Sequence, residues 1–153
     1  MGSVEDRLAA AGHTVPDVAA PVAAYVPAVR SGSYVYTSGQ LPMSQGALLA
    51  SGKVGATVSV EEGMELAAQC ALNAIAAVRS VIGDLDRVVR VVKVTGFVAS
   101  DPEFTAQPTV VNGASHLIAT AFDDAGIHAR SAVGVSVLPL DAPVEVELIV
   151  EID

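Results

Sequence analysis

The feature that most constrains this chain is the stretch that begins at Ser59. From there to Ile82, Met64, Ala67, Ala68, Ala71, Ile75, Val78 and Ile82 recur at helical spacing, while Glu62, Glu65, Gln69 and Asn73 fall on the other side. Ser59 offers an N-cap oxygen, and Glu62 three residues later completes a capping box. Gly83 suits the position just past the end. The pattern predicts a helix over about 60–82. A helix with one apolar stripe needs a second layer to bury it.

That layer is visible in the period-two segments. Val144, Val146, Leu148, Val150 and Ile152 alternate with Glu145, Glu147, Ile149 and Glu151, as in a strand with one buried face. Val133, Val135 and Val137 alternate with Ala132, Gly134 and Ser136 in a second strand, and Leu138–Pro143 reads as a hairpin connection between the two. Val88 to Ala99 is apolar on both alternating faces apart from Arg90, Lys93 and Thr95, which suits a strand covered on both sides. A second helix is expected over about 108–124. Pro108 sits in its first turn, Val110, Val111, Ala114, Leu117, Ile118, Ala121 and Phe122 form its stripe, and Gly126 ends it.

Upstream, Val22–Val29 and Tyr34–Ser38 read as a hairpin around the turn Arg30-Ser31-Gly32-Ser33. Residues 40–58 read as a loop with one short strand at Ala47–Leu49. The segment 1–21 is expected to form an N-terminal arm or short helix, and 22–153 a single domain. The order β-β-(β)-α-β-α-β-β describes an α+β domain, with two helices packed on one face of a mixed β-sheet. The other face mixes small, apolar and acidic groups. Association of copies would bury it, and a cleft between subunits is a natural place for a ligand.

Composition narrows the function. Hydrophobic residues make up 52% of the chain, aromatics only 4%, so the core must be Val, Ala, Leu and Ile. No apolar run approaches the ~18 residues of a membrane span. The first residues lack a basic segment followed by an apolar one. The single cysteine, Cys70, permits no intrachain disulfide. These readings favour the cytoplasm. A net charge of −9, with eight scattered Lys and Arg and a partial cluster at Arg87, Arg90 and Lys93, argues against nucleic acid as a partner, and the lack of such an apolar run gives no reason to expect a membrane.

Motifs that would signal nucleotide or hydrolase chemistry are broken or absent. Ser51-Gly52-Lys53-Val54 lacks the spacing of a phosphate-binding loop. His13, His116 and His128 lack metal-ligand spacing, so no metal site is expected. Cys70 reads as an inert thiol within the first long helix. Arg130 stands out. It follows Gly126-Ile127-His128-Ala129 at the start of a strand with little acidic company. An arginine fixed there can grip a carboxylate with two parallel hydrogen bonds, or can serve a structural ion pair with one of 17 acidic residues. Both readings stand at this point. Glu145 and Glu147 share a strand face, either solvated or with one carboxylate orienting water. Tyr34 and Tyr36 read as packing, whereas Tyr25, between Ala24 and Val26, could close a pocket.

Several ordered motifs then point one way. Val35-Tyr36-Thr37-Ser38-Gly39-Gln40-Leu41-Pro42, the helix segment Gln69 to Asn73, and the strand Lys93-Val94-Thr95-Gly96-Phe97-Val98 are followed by His128-Ala129-Arg130-Ser131, Leu138-Pro139 and Val144-Glu145-Val146-Glu147. From about Tyr25 onward the chain resembles the RidA family, also called YjgF or endoribonuclease L-PSP. The resemblance implies a chorismate-mutase-like fold assembled as a homotrimer, with ligand sites at the subunit interfaces. It implies hydrolysis of reactive enamines and imines, such as 2-aminoacrylate, to 2-keto acids and ammonia, without metal or cofactor (a 2-iminobutanoate/2-iminopropanoate deaminase type of hydrolase). It assigns Arg130 to carboxylate binding and Glu145 to positioning water. Tyr25 matches the tyrosine before the signature strand, and the backbone at Ala132 occupies a position where some members carry cysteine. Ala23-Ala24-Tyr25, the loop from Met43 to Thr57, and one extra residue between Val111 and Arg130 resemble a longer branch of the family. For that branch a non-catalytic module binding a small carboxylate or a partner is the alternative. An endoribonuclease is a weaker third, at odds with the acidic charge.

Overall fold

The computed structural model describes residues 3–18 and 24–153. Helix α2 spans Val60–Ile82 and starts where the capping box places it. Ser59 Oγ accepts from the Glu62 amide at 3.1 Å, and Glu62 Oε2 accepts from the Ser59 amide at 3.0 Å. Gly83 ends the helix at a φ of 80°, which costs glycine little. Its buried face is wider than one stripe. Leu66, Cys70, Leu72 and Ala74 join Ala67, Ala71, Ile75 and Val78 inside, whereas Met64 and Ala68 are only half-buried. The extra width has a reason: α2 packs both on the sheet and along α3, Gln107–Phe122. Every residue of the stripe expected for α3 is buried. That helix stops at Phe122, because Asp123 turns to a φ of 49° and a short 3-10 turn, Asp123–Gly126, replaces the last expected residues.

The sheet has five strands: β1 (Ala28–Ser31), β2 (Tyr34–Thr37), β5 (Val88–Ala99), β6 (Ala129–Val135) and β7 (Val144–Ile152). Their order across the sheet is β1-β2-β7-β5-β6. All neighbours are antiparallel except β5 and β6, which run parallel. The fold is mixed α+β, with α2 and α3 on one face of the sheet, as expected. A short helix α1, Val4–Ala10, packs on α3 and buries Val4 and Leu8 in the same core.

Several expectations change. The first hairpin's opening strand begins at Ala28 rather than Val22; residues 19–23 lie outside the described ones. Arg30 and Ser31, expected in the turn, pair with Val35 and Tyr34, leaving Gly32-Ser33 as the loop, with Gly32 at a φ of 60°. The segment 40–58 holds two short strands, β3 (Met43–Ser44) and β4 (Ala47–Leu48), where one was expected. Gln45 and Gly46 join them, both at positive φ, the geometry a two-residue hairpin favours. Leu138–Pro143 is no hairpin. β5 lies between β6 and β7, so this segment crosses over a strand before the chain turns back. It was misread because alternation reveals a strand but not its neighbour. Finally, β5 is covered on one side only. Val91, Val94 and Val98 are fully buried beneath the helices, whereas Lys93, Thr95 and Phe97 on the other face are half-buried. Tyr34 and Tyr36 share that open face, exposed rather than packed in the single protomer.

The helix layer is tight where glycine permits it. A Cβ on Gly113 of α3 would lie 1.9 Å from the Met64 carbonyl oxygen of α2, so the two backbones touch. Gly113→Ala would gain about 1 kcal/mol of helix propensity elsewhere. Here the clash is with backbone, which cannot swing aside, and overpacking costs about 1–3 kcal/mol. Urea denaturation of Gly113→Ala is expected to show a net loss of stability; unchanged or increased stability would contradict the close approach.

Candidate functional site

Arg130 is the second residue of β6, opposite Val94. Its side chain lies on the helix-facing side and reaches α3. Nη1 donates to Asn112 Oδ1 at 2.8 Å and to Ser115 Oγ at 3.2 Å, and Nη2 donates to the Pro108 carbonyl at 3.3 Å. Pro108, Asn112 and Ser115 fall at i, i+4 and i+7, so one helix face supplies all three acceptors. All are neutral. They fix the guanidinium's direction without cancelling its charge. Arg7, Lys53, Arg79 and Arg87 each meet a carboxylate, but among the described residues Arg130 does not. The structural ion pair left open by the sequence is not formed. Three of five donors are used, leaving Nε and one Nη2 hydrogen, neighbouring positions that match the two oxygens of a carboxylate. Ala132 lies two residues further along the same face, opposite Gly96, and packs partly against the core. β6 is an edge strand, and its outer side has no strand partner among the described residues.

Glu145 sits elsewhere. It is opposite Phe97 on the open face, near the start of β7. The chain leaving β2 folds over it: Gln40 and Val146 exchange backbone hydrogen bonds at 2.8 and 3.0 Å. A Cβ on Gly39 would lie 2.0 Å from Glu145 Oε1, so the carboxylate rests against the bare glycine backbone. Burial pushes the Glu145 carboxyl above its ordinary range, and the neighbouring Glu147 charge adds to the rise. The helix motif supports this corner. Gln69 Nε2 donates to Asn73 Oδ1 at 3.0 Å, and Asn73 Nδ2 donates to the Leu41 and Met43 carbonyls at 3.0 and 2.9 Å. Ser38 Oγ donates to the Val26 carbonyl at 2.6 Å. That bond brings Tyr25, which is 64% exposed, to the same end of the sheet.

The structure therefore separates the residues. Glu145 lies against Gly39, Tyr25 is exposed on the segment that the Ser38–Val26 bond ties to β2, and Arg130 and Ala132 lie on the edge strand under α3. Arg130 and Glu145 project from opposite faces, with β5 between their strands, so one chain does not bring them together. Sequence reasoning missed Asn112, Ser115 and Gly39. The helical spacing of the first two from Pro108, and the fixed glycine in Thr37-Ser38-Gly39-Gln40, were the available signals. Cys70 is buried, donates its Sγ hydrogen to the Val144 carbonyl at 3.5 Å, and has its thiol pushed well up, first by burial and then by the Glu145 charge. Its burial is the one expected of it.

Comparison with known proteins bears on these motifs. Protein TCP17 of Trypanosoma cruzi is 45% identical over 153 residues, covering 99% of this chain and 96% of its own. The crystal structure of Atu1372, a protein of unknown function from Agrobacterium tumefaciens, is 48% identical and superposes with a TM-score of 0.93 over 98% of this chain and 92% of that one. TdcF of Escherichia coli, solved with bound serine, is 25% identical with a TM-score of 0.63, over 92% and 97% of the two chains. A family profile described as YjgF/chorismate mutase-like, putative endoribonuclease, matches residues 5–152. With that span and these relatives, the chain belongs to the YjgF/chorismate mutase-like family.

Proposed function

We propose that this protein hydrolyses small imines and enamines of 2-amino acids to 2-keto acids and ammonia, at a site shared between copies of the chain. One observation carries the reading: Arg130 is held by three neutral acceptors, its charge unspent and two adjacent donors open. A cation built this way suits a small carboxylate. The serine bound to the TdcF relative supports the same ligand class, an amino-acid carboxylate.

The reaction follows from this placement. Arg130 grips the substrate carboxylate through Nε and Nη2. Glu145, from a neighbouring copy, accepts a hydrogen from water and aims its oxygen at the imine carbon. An enamine first takes a proton from solvent on its β-carbon to become the imine. Water then adds to the imine carbon to give a carbinolamine, its proton passing by way of Glu145 to the nitrogen, and the C–N bond breaks as ammonia leaves and the hydroxyl loses its proton to become the keto oxygen. No electrons change hands, so no redox cofactor is required. Charge capture and orientation supply most of the acceleration. A carboxyl with a raised pKa is the better base near neutrality. Tyr25 closes the Glu145 side and the backbone at Ala132 lines the Arg130 side. A homotrimer accounts for both the separation of Arg130 from Glu145 and the open sheet face, where Val29, Tyr34, Tyr36 and Val133 are exposed. The acidic chain and single buried thiol fit a cytoplasmic enzyme of small metabolites.

Three measurements test the proposal. Ammonia release from freshly generated 2-iminopropionate should exceed the buffer rate, and Arg130→Ala should lower kcat/KM by about a hundredfold or more, because two charge-assisted hydrogen bonds are lost. Release at the buffer rate would end the hydrolase reading; retained pyruvate binding would then leave a binding module. Asn112→Asp replaces a neutral acceptor by an anion, 2.8 Å from Nη1 in the present geometry. The new carboxylate should compete with substrate and raise KM about tenfold while the protein stays folded. Glu145 is expected to set the acid limb of the pH profile. Its raised pKa means activity falls as pH drops through that value, sooner than for an ordinary carboxylate. The same shift makes the charged form a burden on the native state, present at higher pH and relieved as pH falls through the folded value. Glu145→Gln should therefore remove the limb and stabilise the fold at neutral pH, with the gain fading on acidification.

A further inference from the structure

Behind Arg130 lies a second layer that the reaction above does not use. His128 Nδ1 is 2.6 Å from the Gly126 carbonyl, and His128 Nε2 is 2.9 Å from Ser115 Oγ. Ser115 Oγ in turn accepts from Arg130 Nη1 at 3.2 Å. A carbonyl oxygen can only accept, so Nδ1 must carry the hydrogen. In the neutral ring Nε2 is then an acceptor, and the only hydrogen that can fill it from Ser115 is the hydroxyl's own. The Ser115 lone pairs are thereby turned toward Arg130. Donors and acceptors alternate along the whole path, from Nη1–H to Oγ, from Oγ–H to Nε2, and from Nδ1–H to the Gly126 carbonyl.

Without His128 the Ser115 hydroxyl would have another choice. A serine within a helix readily donates to a carbonyl of the preceding turn. Arg130 would then share an acceptor that no longer has a fixed direction. Geometry also suits a fixed role. His128 is anchored by the loop that joins the 3-10 turn to β6, two residues before Arg130, while Ser115 lies midway along α3. The chain of bonds ties the edge strand to the helix at the point where the guanidinium emerges.

We propose that His128, acting through Ser115, is the positioning residue that aims the Arg130 guanidinium at its carboxylate ligand. This rests on the reading of Arg130 as a carboxylate clamp. His128 touches no reacting atom. It determines how well Nε and Nη2 are presented, so its loss should weaken carboxylate binding more than it slows turnover of bound substrate.

Calorimetric titration with pyruvate tests this with a readout independent of turnover. His128→Leu and Ser115→Ala should each raise Kd about three- to tenfold, the effect of losing one neutral hydrogen bond. The double variant should be no weaker than the worse single one, because both interrupt the same path. His128→Gln returns an acceptor oxygen near the Nε2 position and should restore most of the affinity, which a packing role would not require. Kinetically, KM should rise with kcat nearly unchanged. Should His128→Leu fail to fold in a thermal melt, Ser115→Ala, a favourable change within a helix, carries the same expectation. Wild-type affinity in folded His128→Leu and Ser115→Ala, alongside lost binding in Arg130→Ala, overturns this inference and leaves the clamp intact. If the wild-type protein binds no pyruvate, both fall together.

Discussion

The architecture depends on β5 holding a different partner on each side. It pairs antiparallel with β7 and parallel with β6. A parallel neighbour cannot be reached by a tight turn, so the chain must return along the sheet, and α3 makes that passage. This is why α3 lies over β5 and β6, and why its first turns hang above Arg130. Gly96 belongs to the same device: a Cβ there would come within 2.5 Å of the Val111 side chain, so its absence lets α3 settle on the strand. The three acceptors around Arg130 are a consequence of the crossover rather than a separate construction.

The electrostatic design of the site runs against the protein's overall charge. A net charge of −9 repels small anions at long range, and salt screens that repulsion beyond about 10 Å. Capture of the proposed carboxylate ligand would therefore have to come from short contacts. An arginine already paired with an acidic neighbour would give little. Asn112, Ser115 and the Pro108 carbonyl orient the guanidinium while leaving its field in place. Glu145 complements it in kind: burial and Glu147 disfavour its charge, and Gly39 removes the side chain that would push it away.

Much of this was legible in the residues. The caps and stripes of α2, the bounds of β5 and β7, and the buried residues of α3 follow from periodicity and local chemistry, because both act over a few residues. Strand neighbours do not. Nothing within Leu138–Pro143 says whether β7 folds back on β6 or skips past it; that choice is made by β5, some forty residues upstream. The charged members of the candidate site, Arg130 and Glu145, were singled out through motif resemblance. Its neutral members were not. Asn112 and Ser115 look like ordinary polar residues of an amphipathic helix until the crossover sets them against Arg130. Gly39 was quoted within a motif, but its purpose is evident only from the carboxylate lying where a Cβ would be.

The sheet order has a further consequence for how the domain is made. β7 is the last strand in sequence, yet it lies between β2 and β5. Before Val144–Ile152 is available, the β1–β2 hairpin and the β5–β6 pair have no strand joining them. During synthesis the two halves wait for the final segment, with α2 and α3 offering apolar faces to an unfinished sheet. The pairings of β7 with β2 are therefore long-range in sequence, and contacts of that kind carry a loop-closure cost that local contacts do not.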